Sequence, residues 1–202
     1  MDQATAEIAQ TAARLVVEEG LEWGAAKHRA LRQLGLPART ALPGNDLVEE
    51  AVREYIALFC ADTQPQELQA LRGLALQWMD RLAEFRPHLA GAVWRGTATR
   101  LSDIYLQLFC DDPKSAEIAL INQHVEYEPS TVTGFTGQAV EALSIHAFCR
   151  PLNESVGVHL LVYDHDDLRG ALKPDGQGRS PRGSAEALRR LLDQDEEEAD
   201  RG

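Results

Sequence analysis

The sequence predicts an α+β fold: a mixed sheet flanked by helices, preceded by an N-terminal helical region. Three observations predict it. Up to residue 86, apolar residues recur at helical spacing. After Pro87, short runs rich in branched and aromatic residues alternate with turn residues. One helical pattern, over residues 112–123, is set among those runs, which is the order of an α+β arrangement. The expected organisation is a helical region over 1–86, an α/β domain over 87–192 and an acidic disordered tail over 193–202.

The helical front reads in four pieces. Residues 4–19 carry Ile8, Ala12, Leu15 and Val16 on one face, and Gly20 is the stop. Residues 24–34 form a short helix ended by Gly35, with Pro37 just beyond. Leu42-Pro-Gly-Asn45 is a turn, after which Asp46 caps a helix to about Phe59 and Glu49 closes a capping box. Thr63 caps the next helix, Pro65 suits its first turn, and Leu68, Leu71, Ala75, Trp78, Leu82 and Phe85 make its apolar stripe. That stripe is read as core packing.

The mixed back follows. Leu89–Trp94, Asp103–Phe109, Val125–Val132, Ala142–Phe148 and Val156–Tyr163 read as strands, with the helix 112–123 after the second. Residues 164–183 are rich in glycine and proline and read as turns, and Ser184–Leu192 as a closing amphipathic helix. There is no internal repeat.

Composition narrows the functional classes. The net charge is −12, and residues 193–202 hold six acids and one arginine. Only three lysines occur, Lys27, Lys114 and Lys173, which argues against general DNA binding through phosphates and leaves room for a local anion site. Cys60, Cys110 and Cys149 are widely spaced, each closing an apolar run, and read as buried free thiols rather than zinc ligands or disulfides. No apolar run reaches the roughly 18 residues that span a bilayer. The start, Met1-Asp-Gln-Ala-Thr-Ala-Glu7, lacks a basic n-region, and a cytoplasmic location is expected.

The chemistry concentrates in Gly91-Ala-Val-Trp-Arg-Gly-Thr-Ala-Thr-Arg-Leu-Ser-Asp-Ile-Tyr-Leu106. Gly91 and Gly96 let the backbone approach a ligand without a Cβ in the way. Successive amides in such a turn form an anion-binding nest, and Thr97, Thr99 and Ser102 add hydroxyls. Asp103 and residue 105, two apart on a strand, face the same way. Two acids there would hold Mg²⁺ together with substrate phosphates.

These sixteen residues resemble the signature of the DNA-polymerase-beta-like nucleotidyltransferase superfamily, most closely its minimal nucleotidyltransferase branch. That signature reads approximately G-S-x-A-R-G-T-A-T-x-x-S-D-I-D-L, and the match needs no gap. The resemblance implies a nucleotidyltransferase-like sheet and a turn, with Gly91, Arg95, Gly96, Thr97 and Ser102, that grips a nucleoside triphosphate. It also implies strand acids, Asp103 among them, that hold two Mg²⁺ ions for transfer of a nucleoside monophosphate. Two of its departures matter. Ala92 stands where the family has a phosphate-touching serine, and Tyr105 stands where it has the second strand aspartate. A phenol, with pKa about 10, cannot replace that carboxylate.

Other candidates are weaker. His146 occupies the strand position where a third acid would be looked for. Glu126 and Glu128, an i, i+2 pair on the Val125–Val132 strand, are the alternative carboxylates for a metal shared with Asp103, and equally a solvated strand face. Asp164-His-Asp-Asp167 has the composition of a metal cluster, but acids at a strand end more commonly cap a turn or the next helix. Arg169, Lys173, Arg179 and Arg182 lie in a stretch that is either a loop closing over phosphates or a solvated connection. His28, His88, His124 and His159 are isolated, with no serine or cysteine in a nucleophile setting, so no hydrolase triad is expected. No Walker-type phosphate loop occurs.

Three functional classes stay open on the residues alone. One is an active nucleotidyltransferase acting on a small-molecule or protein hydroxyl, through Asp103, a relocated acid and Mg²⁺. The second is a degenerate domain that binds a nucleotide or a protein without catalysis. The third is an interaction protein whose helical region binds a partner or a second copy of itself.

Overall fold

A computed structural model of the chain describes residues 3–176 and 178–199. It is α+β and divides into two compact units, residues 1–65 and 66–202.

The first unit is helical. α1 (Gln3–Glu19) packs on both α2 (Trp23–Gln33) and α3 (Asn45–Phe59). Ile8, Ala12, Leu15, Ala26, Ala30, Val48, Val52 and Ile56 form its core, and the alanines let the helices approach closely. Gly20 and Gly35 end α1 and α2 with left-handed backbone (φ 67° and 65°), as the spacing predicts. The start of α3 differs from the expected capping box. Gly44 holds the cap position with no side-chain cap bond, and Glu49 is buried and accepts from Arg53 Nη2 at 2.8 Å.

The helix expected over 63–85 divides into α4 (Gln64–Arg81) and a 3₁₀ turn, Ala83–Phe85. From residue 66 onward it belongs with the sheet, although its periodicity resembles that of the helical front. The reason is in its stripe: Leu71, Ala75, Trp78, Met79 and Leu82 share one core with the strands.

The second unit is built on six strands: β1 (His88–Ala90), β2 (Ile104–Cys110), β3 (Glu128–Thr133), β4 (Ala139–Cys149), β5 (Glu154–Asp164) and β6 (Arg182–Ser184). Their order is β3-β4-β5-β2-β1-β6, with β2 parallel to β5 and every other pair antiparallel. Helices α5 (Gly91–Arg95), α6 (Lys114–Asn122), α7 (Leu168–Ala171) and α8 (Ala185–Ala199), with a 3₁₀ turn at His165–Asp167, complete the described elements.

One sheet face carries the core of this unit. Leu106 and Leu108 of β2, Val158 and Leu160 of β5, and Leu143 and Ile145 of β4 pack with α4, Leu120 of α6 and Leu188 of α8. Truncating one such leucine to alanine costs about 2–5 kcal/mol. The other face is divided along its length. At one end Phe109 and Tyr163 are covered by Ala171 of α7. At the other end Tyr105, Ser144, His146 and His159 remain half-buried or exposed. That uncovered end is where the functional question concentrates.

Four local readings change. The strand expected over Leu89–Trp94 stops at Ala90, because Gly91 turns the chain with φ 72° and α5 begins there. The strand expected from Val125 starts at Glu128, which leaves Glu126 outside it. The stretch 164–183 holds α7 and β6, the latter an edge strand against β1. The acidic end expected to be disordered continues α8 to Ala199, and residues 200–202 lie outside the described residues. Asp195 accepts from Arg72 Nη1 at 2.8 Å, which ties α8 to α4.

Candidate functional site

The turn expected to bind phosphate is held mostly by its own groups. Gly96 ends α5 in left-handed conformation (φ 82°). Thr97 N donates to Ala92 O at 3.0 Å, and Ser102 N donates to Thr99 O at 2.8 Å. Thr99 N donates to Ser102 Oγ at 3.0 Å, Leu101 N to Thr99 Oγ1 at 3.4 Å, and Arg100 N to Glu67 Oε2 at 2.9 Å. Amides that a nest would offer to an anion already have acceptors, one of them a carboxylate. The buried Thr97 Oγ1 is different: it has no hydrogen-bond partner among the described residues, and a buried hydroxyl left so is costly.

The short helix α5 is positioned by a residue absent from the sequence reading. Arg72 of α4 is buried, and its Nε and Nη2 donate to the carbonyls of Val93 (3.2 Å) and Trp94 (3.3 Å). These satisfy carbonyls at the end of a helix too short to bond them internally. The Trp94 ring lies over Gly183 of β6, where a Cβ would stand, and its Nε1 donates to Ser180 O at 2.8 Å.

Asp103, just before β2, faces β5 rather than the turn. Its Oδ1 accepts from Gly157 N at 3.2 Å, and its Oδ2 lies 3.0 Å from His159 Nε2. Gly157 is required by this approach, since a Cβ there would stand 2.7 Å from the Asp103 carboxyl carbon. The His159 hydrogen bond is the largest cause holding the Asp103 carboxyl below its ordinary value, against partial burial, which raises it.

His159 continues the chain of contacts. Ser144 Oγ lies 2.8 Å from His159 Nδ1. An ionised carboxylate only accepts, so Nε2 carries the proton and donates to Asp103. Nδ1 is then free to accept from the Ser144 hydroxyl. Register explains the row: Ser144 pairs with His159 across β4 and β5, and Tyr105 pairs with His159 across β2 and β5. Tyr105 therefore stacks on the imidazole, with ring centroids 4.9 Å apart.

The remaining expected residues are dispersed. Gly91 adjoins Tyr105, a Cβ there meeting the Tyr105 ring at 3.6 Å. Gly96 faces Arg72 and Leu68 of α4. Arg95 closes α5. Glu126 and Glu128 are exposed, and Glu128 lies on edge strand β3, with β4 and β5 between it and β2. Glu128 pairs in register with Ser144, the residue that contacts His159. His146 pairs in register with Gly157 and lies on the same face as His159. Asp164 caps the turn after β5, its Oδ1 accepting from Asp166 N at 2.8 Å, as expected.

The donor set at Asp103 does not fit Mg²⁺. Its one carboxylate is engaged through both oxygens, its nearest titratable partner is an imidazole, and Tyr105 holds the second strand position. Among the described residues, no group of three or more histidine, cysteine or acidic side chains is disposed to hold a metal ion. No helix among them is long and apolar enough to cross a membrane.

By sequence His159 reads as isolated and Ser144 is not singled out, whereas the structure sets His159 between Ser144 and Asp103. Ser144 and His159 are each a polar residue inside an apolar alternation, Leu143-Ser-Ile145 and Val158-His-Leu160. That pattern placed both on a non-core face, but not side by side. No family model, curated protein or solved structure matches the chain.

Proposed function

We propose that this chain is a nucleotidyltransferase-like protein that binds a nucleoside triphosphate without the metal-dependent transfer of that superfamily. The gapless motif over 91–106 supports the family reading, as does the order strand, short helix, turn, strand in which it falls. The observation that carries the non-transferring form is the Asp103–His159 pair. Where the family needs strand carboxylates free for cations, Asp103 is bonded to an imidazole and a backbone amide, and Tyr105 is its strand neighbour on that face. At the turn, the guanidinium of Arg95 is the cation assigned to the phosphate, and the hydroxyl of Thr97, buried two residues on, is the donor assigned to it.

The test is titration with labelled ATP, GTP, CTP and UTP, in Mg²⁺ and in EDTA. Binding that Arg95→Ala and Thr97→Val weaken, with no transfer of label, is the expected result. Transfer that needs Mg²⁺ and is lost in Asp103→Asn would restore the active enzyme. Absence of binding to every nucleotide would leave the interaction reading. One observation favours that reading: Leu58 and Phe59 at the end of α3 are 75% and 70% exposed. It predicts oligomers in light scattering that Leu58→Ser with Phe59→Ser removes.

A further inference from the structure

The uncovered end of the sheet carries a constellation of which the nucleotide reading uses only the Asp103–His159 pair, and that only as a block on cation binding. Ser144, His159 and Asp103 come from β4, β5 and the entry to β2, and are joined by contacts of 2.8 and 3.0 Å. A nucleophilic hydroxyl needs a base within hydrogen-bond reach, and the base needs a third group to hold its tautomer. Both conditions are met. Asp103 accepts from Nε2, which leaves Nδ1 as the base toward Ser144. The assignment of the two ring nitrogens is the reverse of the familiar serine-protease arrangement, but the proton logic is the same.

Each member is held from outside the row. Gly157 N fixes Asp103, and its missing Cβ makes room for the carboxylate. The Tyr105 ring, tilted 30° from the imidazole plane, limits rotation of His159. Leu143 and Ile145 anchor the two sides of Ser144 in the core. The row is nevertheless open to solvent: the side chains of His159 and Asp103 are 24% and 46% exposed. His146, two residues along β4 from Ser144 on the same face and exposed, offers a ring N–H for a developing oxyanion.

We propose that Ser144 is a nucleophile toward small activated esters, with His159 as its general base and Asp103 as the positioning residue. Ser144 Oγ forms a bond to the carbonyl carbon while its proton passes to His159 Nδ1. The tetrahedral adduct collapses, the carbon–oxygen bond to the leaving alcohol breaks, and that alcohol takes the proton from His159. The acyl group then rests on Ser144. Water gives a proton to His159 and attacks the acyl carbon. The acid leaves, and Ser144 Oγ recovers its proton. Ester and water become acid and alcohol, with no metal and no other co-reactant. This reading rests on Ser144 of β4, His159 of β5 and Asp103 at the entry to β2, not on the 91–102 turn, so nucleotide binding at that turn neither supports nor removes it.

The test uses the full chain with p-nitrophenyl acetate and a fluorophosphonate probe. The expected result is a single fluorophosphonate adduct, mapped to Ser144 by mass spectrometry. Ester hydrolysis is expected to fall about 10²–10⁴-fold in Ser144→Ala and in His159→Gln, the range for loss of acid–base catalysis. Asp103→Asn is expected to lower kcat with KM retained, whereas a merely structural role would move both. Circular dichroism and melting curves of each variant establish that it is folded. If Ser144→Ala does not fold, Ser144→Cys keeps the shape and is expected to be alkylated by iodoacetamide faster than the native cysteines. No adduct, an adduct at another serine, hydrolysis unchanged in folded Ser144→Ala, or alkylation of Ser144→Cys no faster than the native cysteines would each overturn the proposal.

Discussion

Tyr105 lies against the imidazole of His159, ring centroids 4.9 Å apart and planes 30° apart. Tyr105, two residues beyond Asp103 in the chain, thus steadies the histidine that is bonded to the Asp103 carboxylate. A double-mutant cycle over Tyr105→Ala and His159→Ala is expected to give a coupling of about 0.5–1.5 kcal/mol, the range for ring pairs. Urea unfolding of the four proteins measures it. Additive effects would mean that the rings are neighbours without an energetic link.

The Asp103 carboxyl is held below its ordinary value, chiefly by the His159 hydrogen bond. Its folded pKa is therefore lower than its unfolded one, about 3.9. Such a group stabilises fully above the unfolded value, and the contribution is lost as pH falls through the folded value. The stability gap between the wild type and Asp103→Asn should shrink as pH falls below about pH 4. Chemical denaturation at pH 7, 5 and 3 decides the matter. A gap as large at pH 3 as at pH 7 contradicts the assignment.

Gly183 has no room for a Cβ, because the Trp94 ring occupies the place. Gly183→Ala forces the indole or β6 to move, and overpacking of this kind costs about 1–3 kcal/mol. The melting temperature should fall, and tryptophan emission should shift as the bond from Trp94 Nε1 to Ser180 O is disturbed. A variant with unaltered melting and emission would show that the contact is easily relieved.

Arg72→Leu is expected to be more damaging than a surface arginine change. It leaves the Val93 and Trp94 carbonyls unsatisfied and removes the partner of Asp195. An orphaned buried polar group costs about 1–3 kcal/mol. Hydrogen exchange should show α5 and the end of α8 opening more readily. Protection equal to the wild type in α5 would sink this account.

The three cysteines should differ in reactivity. Cys110 and Cys149 are buried, and burial pushes the Cys110 thiol up to about 11. Cys60 is half-buried. Iodoacetamide at pH 8 should give one adduct on the native protein, at Cys60, and three after unfolding. Labelling of Cys110 in the native state would contradict its placement in the core.

Much of the architecture was legible in local pattern. Gly20 and Gly35 stop α1 and α2 because left-handed backbone favours glycine, and that preference needs no distant partner. The α4 stripe was legible as core, but not which core, since Leu71 and Trp78 would suit a helical bundle or a sheet equally well. The break between β1 and α5 was hidden because Ala92 and Val93 fit a strand by composition. Only the turn at Gly91 and the grip of Arg72 on the Val93 and Trp94 carbonyls make them helical.

The sequence by itself determined the α+β class, the helical front, the apolar strands and the unusual Asp103–Tyr105 pair, because these follow from residue type and from periods of two and 3.6. Tertiary structure decided what Asp103 touches. Strand register set His159 between Ser144 and Tyr105, and a glycine at 157 let the carboxylate reach its amide. A contact across 56 residues depends on how three strands align, and alignment is set by the whole buried face at once rather than by any short stretch of chain.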